Sequence, residues 1–281
     1  KKDKIAVCGY HGWHDWYLSV NLKGKKELNT HLIKDLNVDG VDKNLKNSSV
    51  AFKHNDLDSF KKITRQNKDI GVVIMEVERF EEVDKDFLQY IRDYTKKNKI
   101  TLIFDECTSG FRQTFGGLHL KYKINPDICI LGKALGNGYP INAVIGSKQV
   151  MTKAENSFIS STFWSDRIGP AAALKTLEMM KKDRTWLELK KLGYFFKKKL
   201  KLILKKYNID GDVIGNGSLL QFKIKNIDDL ELKKYLASEM LRKNILASNV
   251  IYLSIAHNEK LLNKYFQQLD IVMLKLSKKL N

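Results

Sequence analysis

Short apolar runs alternate with amphipathic stretches along the first two thirds of the chain. The run KIAVCG, residues 4–9, is strand-like. Residues 56–67, DLDSFKKITRQN, have the spacing of a short helix that Asp56 can cap with its side chain. IGVVIMEV, residues 70–77, is a continuous β-branched run, the pattern of a strand covered on both faces. The stretch 85–99 sets Phe87, Leu88, Ile91 and Tyr94 on one helical face. Further buried strands follow at 100–106 (ITLIFDE), 127–132 (DICILG) and 142–147 (NAVIGS). Strand, helix, strand in this rhythm predicts an α/β fold built on a mainly parallel sheet with right-handed crossovers.

The texture changes near Ala171. Residues 171–182 read as a helix behind Gly169-Pro170, and a long lysine-rich helix runs to about Tyr207. Residues 218–225 alternate as a half-exposed strand should, and 229–244 and 261–280 are amphipathic helices. The pattern predicts a large domain over residues 1–182 and a small α+β domain over 183–281.

In parallel sheets, ligands collect at the carboxyl ends of the strands. Three strand ends here carry ionisable groups: Glu76, then Asp105 with Glu106, then Lys133 just past 127–132. Lys133 is followed by Gly136, Gly138 and Pro140, so turn residues surround it. A lysine amine is protonated at neutral pH unless desolvation lowers its pKa; a desolvated amine is a nucleophile. A strand-end lysine in water is the plainer alternative. Asp105 at the end of an apolar run can be a helix cap, a metal ligand or the partner of a buried cation such as a pyridinium nitrogen.

The stretch GYHGWHDW, residues 9–16, groups aromatics with His11, His14 and Asp15. It admits a metal, although the spacing is short and no metal ligation is expected. Tyr10 can instead offer a flat face to an aromatic ligand, or simply fill core. Ser160, Ser161 and Thr162 lie in a non-helical stretch ahead of a helix, where hydroxyls suit either a phosphate or a cap.

Composition narrows the reading. The 281 residues hold 50 Lys+Arg against 32 Asp+Glu, a formal charge of +18. The lysines interleave with Leu, Phe and Ile, as in ELKKLGYFFKKKLKLILKKYN (188–208), which is a solvated helix face; nucleic-acid binding is not expected. The three cysteines, Cys8, Cys107 and Cys129, are widely spaced and form no CxxC pair, so reduced thiols are expected. No apolar run is long enough for a membrane span, and no leader is visible, which makes the cytoplasm the expected location. The chain opens at KKDKIAV, almost at once in a strand, so further sequence upstream is expected.

Taken together, YHG (10–12), DECTSGFR (105–112), PDICILGKALGNGYPI (126–141) and STFWSDRIGPAAALKTLE (161–178) resemble, in order and spacing, the motifs of the class III aminotransferases that use pyridoxal 5'-phosphate. Within that family the DE-xx-GFR form and the segments EMLRKNILAS and SIAHNEK are most similar to glutamate-1-semialdehyde 2,1-aminomutase and its relatives. The resemblance implies a fold type I transferase whose large domain is incomplete at its N-terminus. It implies that Lys133 holds the cofactor covalently, that Asp105 pairs with its ring nitrogen and that Tyr10 stacks on its ring. It also implies that Glu76 lies near the ring hydroxyl or the substrate. Thr162 would reach the cofactor phosphate of a neighbouring subunit, which implies a homodimer acting on small amine and carbonyl substrates. An aminotransferase for another carbonyl, such as a keto-sugar, and an inactive fragment are the alternatives. The family usually has Glu-Pro where this chain has Glu76-Val77. TFWSDRIGP replaces the commoner TFSGNP type, so that Trp164, Asp166 and Arg167 can reshape the substrate entrance.

Overall fold

The computed structural model describes residues 2–24, 26–160, 162–163 and 165–280. The chain divides into two compact units, Lys1–Glu78 with Val83–Leu177, and Arg79–Glu82 with Glu178–Asn281. Numbered elements below are the strands and the helices of ten or more residues.

The first unit is built on a six-stranded sheet. Its strands are β1 (Lys4–Cys8), β2 (Ser49–Ala51), β3 (Ile70–Met75), β4 (Thr101–Asp105), β5 (Ile128–Leu131) and β6 (Ala143–Gly146), in the spatial order β2-β1-β3-β4-β5-β6. Every pairing is parallel except β5 with β6, which is antiparallel. The fold class read from the pattern is therefore the observed one. The helix α1 (Leu57–Gln66) is capped by Asp56, whose carboxylate accepts from the Ser59 N–H at 2.8 Å. The helix α2 (Lys85–Lys97) buries Phe87, Leu88 and Ile91, the face its spacing marks, and Asp84 caps it. Both pack into one apolar cluster with Val73, Met75, Leu102 and Phe104. Removing a ring as fully buried as Phe104 costs about 3–5 kcal/mol.

Register turns this sheet into a platform. Cys8 pairs with Met75, Met75 with Phe104, and Phe104 with Cys129, so these four residues form one row across β1, β3, β4 and β5. Whatever follows that row leaves the sheet at the same edge. Gly9-Tyr10, Glu76, Asp105 and the β5 continuation toward Lys133 all do.

The helix α3 (Ile168–Asp183) starts earlier than Ala171. Pro170 sits in its first turn, where a missing N–H costs nothing, and Asp166 accepts from the Ile168 N–H at 3.2 Å. The second unit holds α4 (Thr185–Lys206), an antiparallel sheet of β7 (Gly211–Asn216), β8 (Leu219–Ile224) and β9 (Val250–Tyr252), and the helices α5 (Asp229–Leu241) and α6 (Glu259–Leu280). Its own core joins Phe196, Leu200, Leu220, Phe222, Leu236, Phe266 and Met273. No helix among the described residues is long and apolar enough to cross a membrane.

Beside β1, a smaller core of Val7, Tyr17, Val20, Leu28 and Ile74 borders a pH-sensitive group, His31, through Tyr17. His31 Nε2 donates to the Phe52 carbonyl at 3.3 Å, and the Tyr17 hydroxyl lies 3.3 Å from Nδ1. Burial lowers its pKa from the ordinary 6.5 to about 4, and positive charge at His11 adds to the effect. The folded value lies below the unfolded one, so the unfolded chain takes up this proton first as pH falls. The neutral form's stabilisation is complete above pH 6.5 and is lost between 6.5 and 4, a change of about 3 kcal/mol. Denaturant unfolding at pH 7 and pH 4.5 checks this. His31→Gln is expected to lose less stability over that interval than the wild-type chain, and parallel losses would contradict the assignment.

Candidate active site

The site begins with Asp105, where β4 leaves the apolar layer. Its Oδ1 accepts from the Cys107 N–H at 3.1 Å, which closes the turn after the strand. Its Oδ2 lies 3.0 Å from His11 Nδ1. The His11 side chain is fully buried, and Nε2 lies 3.0 Å from the Cys8 carbonyl oxygen. A carbonyl only accepts, so Nε2 carries a proton toward Cys8. The Nδ1–Oδ2 contact then needs one further proton between imidazole and carboxylate. The pair fixes the direction of the Asp105 carboxylate and ties the end of β1 to the end of β4.

Glu76, at the end of β3, is buried, and its Oε2 accepts from the Tyr10 N–H at 2.9 Å. A Cβ on Gly9 would lie 2.7 Å from that oxygen, and Gly9 has φ +92°, so only glycine allows this approach. Glu76 thereby sets the path of the backbone that carries Tyr10. The Tyr10 ring packs on Trp13, with centroids 4.5 Å apart, and edge-on to Tyr17 at 6.0 Å.

Lys133 follows β5 at φ +46°, a region that costs a non-glycine residue about 1 kcal/mol or more. The residue before it has no room for a side chain: a Cβ on Gly132 would strike the Asn142 side chain and lie 2.6 Å from Cys107 Sγ. The Lys133 amine donates to Thr108 Oγ1 at 2.8 Å. Because Asp105 pairs in register with Ile130, the turns after β4 and β5 are neighbours, and the Thr108–Lys133 bond joins them. Lys133 is exposed in this chain, so these residues do not by themselves supply the desolvation that the sequence reading attached to it.

Glu106 has a different task. It is buried, and its two oxygens accept from Ser109 Oγ at 3.2 Å, from the Leu118 N–H, and from His119 N–H and Nδ1 at 3.0 and 2.6 Å. It closes the loop 106–119 on itself. Cys129 lies beside this group, its thiol pKa pushed up to about 12 by burial and then by Glu106 and Asp105. With four donors on the carboxylate, Glu106 reads as a loop clamp. His14 stacks on Trp16 at 6.0 Å, and His11 is engaged through both nitrogens, so the metal alternative at residues 9–16 finds no grouped ligands among the described residues.

Sequence reasoning located Tyr10, Glu76, Asp105 and Lys133, and the sheet brings all four to one edge. Thr162 is not joined to them. It lies exposed in the turn ahead of α3, and the companion residues Ser161 and Trp164 are outside the described residues. Sequence reasoning did not single out the contacts that His11 makes with Asp105 and Thr108 with Lys133. The signals available were their positions in YHG and DECTSGFR, which do not reveal which atoms they face.

The donor set fits pyridoxal phosphate. A primary amine suits its aldehyde, an oriented carboxylate suits its ring nitrogen, and an aromatic follows β1 at the same sheet edge. The glycines at 9 and 132 keep the backbone free of side chains on either side of these groups.

Comparisons with known proteins address the family of the chain. The family model described as aminotransferase class-III matches residues 1–257. The glutamate-1-semialdehyde 2,1-aminomutase of Methanococcus maripaludis (strain C7) is 30% identical over 300 residues, covering 98% of this chain and 69% of that protein. The 3-aminobutyryl-CoA aminotransferase of Cloacimonas acidaminovorans is 36% identical over 191 residues, covering 65% of this chain and only 42% of that protein. Among solved structures, an omega-transaminase from Sphaerobacter thermophilus superposes with a TM-score of 0.83 at 21% identity, covering 99% of this chain and 69% of that one. A transaminase with PLP bound gives 0.85 at 20% identity with the same coverage. On the family match and the 30% identity to the aminomutase across 98% of this chain, the chain belongs to the class III aminotransferase family.

Proposed function

We propose that this chain carries the catalytic residues of a pyridoxal-phosphate-dependent amino-group transfer, in the manner of glutamate-1-semialdehyde 2,1-aminomutase. The observation that carries the reading is that one lysine and one oriented carboxylate stand at the ends of the adjoining strands β5 and β4. Lys133 would hold the cofactor, Asp105 would face its ring nitrogen, and Tyr10 would cover its ring. Glu76 would keep Tyr10 in place. Bound there, pyridoxal phosphate supplies an aldehyde for amine exchange and a ring that withdraws electrons.

The chain's own residues do the rest. The Lys133 Nζ, once free and neutral, would accept the proton from the substrate carbon and give it back from the same nitrogen. The Asp105 carboxylate, kept in direction by Cys107 N–H and His11, would hold a proton on the ring nitrogen. The 30% identity to an aminomutase across 98% of the chain favours movement of nitrogen within one carbon skeleton. The 36% identity to an aminobutyryl-CoA aminotransferase favours a second reading, transfer between two molecules. Isomerisation of glutamate-1-semialdehyde with no added amine acceptor separates the two.

Thr162 and a homodimer belong to the same proposal. The segment that carries Thr162 also exposes Phe158, Ile159, Phe163 and Ile168, with Phe158 99% and Phe163 78% exposed. Apolar rings so exposed on one segment suit burial against a second copy. A cytoplasmic setting is proposed with it.

Three measurements follow. Incubation with pyridoxal phosphate and borohydride should leave the reduced pyridoxyl group on the peptide that contains Lys133, and label confined to other lysines would refute the assignment. Asp105→Ala should weaken cofactor retention about tenfold or more, the worth of one charged hydrogen bond. Sedimentation should give twice the 32.4 kDa chain mass, and Phe158→Asp with Phe163→Asp a monomer; a wild-type monomer contradicts the homodimer.

A further inference from the structure

The bond between Lys133 and Thr108 has chemistry that its position alone does not convey. Thr108 is almost fully buried on the turn after β4, while Lys133 is exposed. The contact therefore joins a fixed partner to a side chain with four rotatable bonds. The fixed partner is held from two directions. Arg112 Nε donates to the Thr108 carbonyl at 2.6 Å, and the Glu106 clamp closes the same loop through Ser109, Leu118 and His119. On the other side, Lys133 is constrained by its φ of +46° and by Gly132 packed under Cys107 and Asn142.

The nature of the group matters as much as its place. A hydroxyl has one donor and two acceptor sites. It accepts from a protonated amine and donates to a neutral one. A carboxylate in that place would hold the amine in its protonated form by charge, and an apolar side chain would not hold it at all. A neutral hydroxyl keeps the amine aimed in both states without favouring the unreactive one.

We infer that Thr108 is a further residue of this site: its hydroxyl seats the Lys133 amine, protonated or neutral, for attack on a carbonyl compound of the pyridoxal class. This rests on the proposed function for the identity of the carbonyl, though not for the contact itself.

The test uses the whole chain and three substitutions, with folding checked by circular dichroism. The first readout is the rate at which Lys133 captures pyridoxal phosphate, trapped by borohydride and measured on the Lys133 peptide. Thr108→Val, close in shape, should slow capture about fivefold to tenfold, the worth of one hydrogen bond. Thr108→Ser, which keeps the hydroxyl, should stay within about twofold of wild type on the same reasoning. The second readout needs no cofactor: trace acetylation of Lys133 by acetic anhydride at pH 8, relative to the other lysines. Thr108→Asp should lower it about fivefold, because the charge retains the proton on the amine. Capture by Thr108→Val at the wild-type rate, or a loss in Thr108→Ser as large as in Thr108→Val, overturns the inference. So does unchanged acetylation in folded Thr108→Asp. If wild type captures no pyridoxal phosphate while Thr108→Asp still suppresses acetylation, the contact stands and the proposed function fails.

Discussion

Parallel alignment of four strands is the constraint from which the site follows. In β1, β3, β4 and β5 the chain runs the same way, so each strand delivers its next residues to one edge. Cys8, Met75, Phe104 and Cys129 stand in one row, and the polar residues beyond them have no apolar layer to enter. An antiparallel arrangement would send every second set of ends to the opposite edge. Burial of Met75 and Phe104 thus fixes more than stability: it fixes where Glu76 and Asp105 emerge.

Around that edge, polar contacts convert proximity into geometry. His11 spans the ends of β1 and β4 through Cys8 and Asp105. Glu76 spans the ends of β3 and β1 through the Tyr10 amide. Thr108 and Lys133 span the ends of β4 and β5. The Glu76 and Thr108 bonds cross between neighbouring strands and the His11 bond passes over β3, so together they cover the row from β1 to β5. Two glycines make the crossings possible, because Gly9 lets the Glu76 carboxylate approach and Gly132 leaves space for Cys107 and Asn142.

Much of this was legible in the sequence. Apolar β-branched runs announce β1, β3, β4 and β5, and an ionisable residue directly after such a run must surface at its end. Glu76, Asp105 and Lys133 were found that way. Other features depend on three-dimensional facts that periodicity does not encode. Ser49–Ala51 is too short to show a period, and Gly211–Asn216 is rich in turn-forming residues, yet both pair in sheets. The antiparallel direction of β6 is set by how residues 132–142 return, which composition does not state. His11 looked like an optional metal ligand because its two acceptors, Cys8 O and Asp105, come from different parts of the chain. Thr108 looked like a turn residue because its partner lies on another strand.

The most direct test of the account is a crystal structure of the chain grown with pyridoxal phosphate. The account predicts electron density continuous from Lys133 Nζ to the cofactor, with the ring nitrogen in hydrogen-bonding reach of an Asp105 carboxylate still engaged by His11. A cofactor bound elsewhere, or one joined to Lys133 with its ring nitrogen turned away from Asp105, would contradict it.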